Sequence, residues 1–97
     1  MMKILLIGCV QSSAHFLCRL ISAGKAPVGV ITKSTSSFHS DFVDLGPVSK
    51  AAGIPYIHVA NVNDEDSVAF IRQCAPDVIY CFGWSQLIKR TVLNIPP

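Results

Sequence analysis

The residues with the most chemistry in their arrangement are Phe82, Gly83, Trp84, Ser85, Gln86, Leu87 and Ile88. They close the apolar run from Val78 to Phe82, which predicts a parallel strand covered on both faces. A glycine between two large aromatics at a strand's carboxyl end leaves backbone N–H and C=O groups beside an apolar wall. Ligands of open α/β sheets bind at that end. A flat heteroaromatic ligand, held by its edge and its face, suits such a place. Trp84, Leu87 and Ile88 read equally well as the packing of a short helix onto the sheet. The residues alone leave both readings open.

A second candidate is the loop Gly8, Cys9, Val10 and Gln11, at the end of the first predicted strand. It holds one glycine, so neither G-x-G-x-x-G nor G-x-x-x-x-G-K-[ST] is present. Cofactors whose pyrophosphate needs close backbone approach are disfavoured. The helix amides after Gln11 can still receive an anion or a polar group, or the loop is an ordinary capped turn. His15, His39 and His58 are scattered, without the spacing of a metal site. Asp41 and Asp44 read as solvated loop carboxylates, and Asp77 as a turn residue before the last strand. Cys9, Cys18, Cys74 and Cys81 make no Cys-x-x-Cys pair. Cys18, Cys74 and Cys81 read as buried free thiols, whereas Cys9 lies at the site end of the sheet.

Four strands must position these residues, over residues 3–8, 27–32, 54–59 and 78–82. Between them come helices. The first has Ser12 or Ser13 as N-cap, a stripe of Ala14, Leu17, Cys18 and Ile21, and Gly24 as its C′ residue. The second opens at Gly46-Pro47, turns Val48, Ala51 and Ala52 inward and closes at Gly53. The third is capped by Asn63 or Asp64 and buries Val68, Ile71, Cys74 and Ala75. Residues 33–44 read as a polar loop, and 86–93 as a short last helix. Strands alternating with helices at this pace predict an α/β fold, a Rossmann-like open parallel sheet with helices on both faces.

A chain of 97 residues is one domain at most. Its apolar fraction of 51% and charged fraction of 14% fit a buried sheet, or a piece whose partner covers apolar surface. A formal net charge of +2 gives no compositional case for nucleic-acid binding. No apolar run approaches the roughly 18 residues of a membrane span. The apolar stretch after Met1-Met2-Lys3 is too brief for a signal peptide. It reads as the first strand of a cytoplasmic protein.

These residues resemble a family. Lys3-Ile4-Leu5-Leu6-Ile7-Gly8, Val28-Gly29-Val30-Ile31-Thr32, Gly46-Pro47-Val48-Ser49-Lys50-Ala51-Ala52-Gly53-Ile54-Pro55, Asn61-Val62-Asn63 and Ala75-Pro76-Asp77-Val78-Ile79 through Leu87-Ile88 are similar, in order and spacing, to the amino-terminal part of the folate-dependent formyltransferase domain. The resemblance covers essentially residues 1–97. It implies that Gln86, Leu87 and Ile88 give main-chain contacts to the pterin-like ring of 10-formyltetrahydrofolate. Phe82 and Trp84 would shape the pocket around Gly83 and Ser85. Gly8 to Gln11 would face the substrate that carries the acceptor amine.

That loop departs from the glycine-rich loop of glycinamide ribonucleotide formyltransferase. The chain also lacks the threonine-proline-acid pattern common in methionyl-tRNA formyltransferase. A nucleotide-linked amino sugar is therefore the expected acceptor. The alternatives are a methionyl-tRNA-type acceptor, the one case that involves nucleic acid, and a non-catalytic α/β domain that binds a ligand or partner. A nicotinamide dinucleotide protein with a degenerate loop is a more distant reading. The family's catalytic Asn-x-His-Pro motif is expected a few residues past Ile95-Pro96-Pro97, and its aspartate further on, so residues 1–97 are expected to be inactive alone. The outer edge of 78–82 is then expected to be bare and to self-associate.

Overall fold

Apolar strands joined by one-faced helices bury both faces of a sheet only when the helices are shared between the faces. The computed structural model describes residues 2–34, 41–82, 84, 92 and 94–96, and it has this form. The elements are β1 (Ile4–Gly8), α1 (Gln11–Ser22), β2 (Gly29–Thr32), α2 (Gly46–Ala51), β3 (Tyr56–His58), α3 (Glu65–Cys74) and β4 (Val78–Phe82). The sheet has four strands in the order β3-β2-β1-β4. Every pairing is parallel.

Alternation along each strand divides the core. Leu6 and Val30 pack with Leu17, Leu45 and Ile54 on the face that carries α1 and α2. Leu5, Ile7 and Ile31 pack with Val62, Val68, Ile71 and Val92 on the face that carries α3. At the amino end of the sheet, the Lys3 amide donates to the Asp77 carboxylate at 2.8 Å. The Asp77 amide returns a bond of 2.8 Å to the Lys3 carbonyl. Asp77 therefore fastens the start of β4 to the start of β1.

Several expectations are corrected. β4 is not covered on both faces: Tyr80 is 40% exposed and Cys81 is exposed. Its apolar sequence says nothing of its place in the sheet, and the strand order puts it at an edge. Cys18, Ala51 and Ala52 are exposed, because they flank the buried stripes of their helices. Ala75 is no buried helical residue. It is the C-cap of α3, in the left-handed region at φ 49°, at a cost of about 1 kcal/mol for a residue with a Cβ. Gly24 and Gly53, both at φ 72°, end α1 and α2 as expected. The predicted helix over 86–93 lies almost wholly outside the described residues.

Candidate functional site: the cleft between the first and last strands

The chain runs outward from β1 through β2 to β3, then returns to the other side of β1 with β4. The carboxyl ends of β1 and β4 therefore flank a topological switch point, where α/β sheets open a crevice. Gly8 stands opposite Phe82 in the register. Phe82, the first residue of one candidate stretch, thus stands beside Gly8, the first residue of the other.

The β1 side is closely built. A Cβ on Gly8 would lie 2.5 Å from the Ser13 Cβ, so only glycine allows α1 to approach. The Ser13 hydroxyl, fully buried, accepts from the Val10 amide at 2.9 Å and donates to the Val10 carbonyl at 2.6 Å. The helix begins at Gln11 with Val10 as N-cap. Ser13 thus holds the turn from inside the helix, where a cap at Ser12 or Ser13 was expected.

The chain after β2 then returns along this loop. The Gln11 amide donates to the Asp41 carbonyl at 3.1 Å, and the Val43 amide donates to the Cys9 carbonyl at 2.8 Å. Val10 and Phe42 form an antiparallel bridge. The amides of Val10 and Gln11 are therefore engaged within the protein. Gly8, Cys9 and Val10 are buried, and Gln11 is exposed.

The β4 side presents aromatic surface. Phe82 is half-buried, with its ring centroid 5.0 Å from that of Phe16. Phe16 also meets Tyr80 edge-on at 5.3 Å. Trp84 is half-buried and packs on the apolar cluster beneath α3, so the indole is not sealed in the core. The Lys33 ammonium stands over the Trp84 ring, 5.0 Å from its centroid. Gly83, Ser85, Gln86, Leu87, Ile88 and His39 lie outside the described residues.

Lys33 was not singled out by sequence reasoning. The available signal was its position, directly after Thr32 at the end of β2. Its charge reaches the Cys9 thiol. Burial pushes that thiol up, Lys33 partly opposes the shift, and Asp41 adds to it. Burial likewise pushes up the Cys81 thiol, with a smaller contribution from Cys9.

Asp44 is not a solvated loop carboxylate. Its Oδ1 lies 2.8 Å from His58 Nε2 and accepts from the Gly46 amide at 2.8 Å. The Leu45 amide donates to Thr32 Oγ1 at 3.2 Å. Residues 41–46 are thus stitched along the carboxyl ends of β1, β2 and β3. Beyond them lies a cavity of about 400 Å³, lined by Ile57, His58, Val59, Ala60, Asp64 and Asp66. Among the described residues no group of three His, Cys, Asp or Glu side chains could hold a metal ion. No described helix is long and apolar enough to cross a membrane.

No protein-family model matches the chain. Curated relatives do. It is 30% identical to the methionyl-tRNA formyltransferase of Chloroflexus aggregans over 99% of its own length. The chain carries the amino-terminal part of a formyltransferase domain. The same enzyme of Geotalea daltonii is 29% identical over 99% of this chain, and that of Thermotoga maritima 28% over 98%. The chain spans 32% of the length of each. The parallel sheet and its helices are those expected of this part of a formyltransferase. These relatives are named for methionyl-tRNA, and the amino-sugar acceptor expected above finds no support among them.

Proposed function

We propose that this chain forms the donor side of a formyltransferase whose one-carbon donor is 10-formyltetrahydrofolate. The amine of a methionyl-tRNA-type acceptor is the better-supported substrate, and the cytoplasm is the compartment. The observation that carries this reading is the position of Phe82 and Trp84. The two aromatics that the family resemblance assigns to the pterin pocket are half-buried, Phe82 opposite Gly8 on the α1 face of the sheet and Trp84 on the α3 face. A flat ring needs such a wall.

The donor supplies the activated formyl group. What these residues contribute is binding. Trp84 and Phe82 offer apolar faces. The Ser13-braced turn at Gly8 to Gln11 forms a fixed wall opposite, with Gln11 turned to solvent. His58 and Asp44 are the one described His–carboxylate ion pair. They stand at the end of β3, with β2 and β1 between them and β4. The transfer chemistry is therefore assigned to the asparagine, histidine and aspartate that the resemblance places beyond residue 97.

Amide shifts of the 97-residue protein, recorded by NMR during titration with folinic acid, test the reading. The expected perturbations centre on Gly8 to Gln11 and on Phe82 and Trp84. Shifts confined to α2 and β3, or none at millimolar ligand, would overturn it.

A further inference from the structure

Helices in this fold run antiparallel to the strands, so each last turn lies at the amino end of the sheet. Arg19, Lys50 and Arg72 occupy such last turns. Lys3 and Lys25 precede β1 and β2 at the same end. Lys33 is then the only described lysine or arginine at the carboxyl end. The carboxylates are distributed the other way. Asp64, Glu65 and Asp66 sit at the start of α3, and Asp41 and Asp44 on the segment along the strand ends. Among the described residues, a ligand with negative charge would meet a mostly acidic rim with one cation inside it.

That cation is not taken by any of these acids. Among the described residues no carboxylate lies within ion-pair distance of Lys33. Its ammonium rests over the Trp84 ring instead. A cation–π contact of this kind holds a half-exposed lysine only weakly. An incoming oxyanion outbids an aromatic face for the same ammonium, because a charge-assisted hydrogen bond is the stronger interaction. The pair also spans the mouth of the cleft, since β1 lies between β2, which leads to Lys33, and β4, which leads to Trp84.

We infer that Lys33 is the anion-receiving residue of the cleft, binding a carboxylate or phosphate oxygen of a ligand whose flat ring lies against Trp84. The inference rests on the donor-side reading for the ring but not for the anion. Two sources share this chemistry: the carboxylate tail of a reduced folate and a phosphate of the acceptor.

Calorimetric titrations of the wild type, Lys33→Met and Lys33→Arg separate them. The probes are folinic acid, a tetrahydropterin without the carboxylate tail, and inorganic pyrophosphate. Near-UV circular dichroism confirms that each variant is folded. The expected result is folinic acid binding about tenfold weaker in Lys33→Met, the scale of one lost charge-assisted bond. Lys33→Arg should restore it, and the tail-less pterin should bind all three proteins alike. If the Lys33→Met loss appears with pyrophosphate only, the anion belongs to the acceptor. If the wild type binds pyrophosphate through Lys33 but no folate, Lys33 keeps its role and the donor-side reading falls. Equal affinity of wild type and Lys33→Met for both anions, or no binding of either anion, overturns the inference.

Discussion

The two walls of the cleft are built by different means. On the β1 side, backbone holds backbone: Val10 is tied to Ser13, and Cys9 and Gln11 are tied to residues 41–43. On the β4 side, side chains lie on one another: Phe82 on Phe16, and Lys33 on Trp84. Hydrogen bonds fixed by buried groups allow little displacement, whereas aromatic and cation–π contacts are weak enough to be exchanged for a ligand. The difference assigns orientation to the β1 wall and adaptation to the β4 wall.

Gly8→Ala is the largest blow to the rigid wall. The new Cβ would meet the Ser13 side chain at 2.5 Å and the Phe82 carbonyl at 3.2 Å. We expect a loss of about 2–3 kcal/mol in urea unfolding. A loss below about 0.5 kcal/mol would show that the wall yields. Ser13→Ala keeps the space but removes the acceptor of the Val10 amide, and should cost about 1–2 kcal/mol.

Exposed Tyr80 tests the softer side. Tyr80→Lys should cost about 0.5–1.5 kcal/mol through the lost edge contact with Phe16. It should also reduce self-association through β4 in sedimentation, because a lysine blunts an open edge. A wild type that stays monomeric at high concentration would remove the premise.

The smallest effects are those of the thiols. Under native conditions an alkylating reagent should label exposed Cys18 before buried Cys9. Burial raises the Cys9, Cys74 and Cys81 thiols above their ordinary value of 9.0. In the folded chain they keep protons that the unfolded chain has already lost. Their contribution is therefore full below about pH 9 and falls as pH rises through the folded values. Cys9→Ala should flatten that alkaline loss of stability, and an unchanged slope would argue that Cys9 is not buried.

The strand–helix alternation was legible in the sequence, because period and punctuation are local properties. Gly24, Gly53 and Pro47 marked their helix ends for the same reason. The bare outer edge of β4 was expected from the resemblance, and the strand order has it. The exposure of its faces was not legible, because an apolar strand looks alike whether or not helices cover it. The site was half legible. Phe82 and Trp84 announced themselves by size beside a glycine. Lys33 and Asp44 did not, because their partners, Trp84 and His58, lie far along the chain and meet them only after crossovers. Ser13 was noticed as a cap, but its use from inside the helix depends on how closely Gly8 lets α1 approach.

Trp84 is the only tryptophan in the chain, and its emission reports on the cleft directly. Titration with folinic acid should give a saturable change in that emission. Emission that stays constant up to millimolar folinic acid, with the protein folded, would contradict the account.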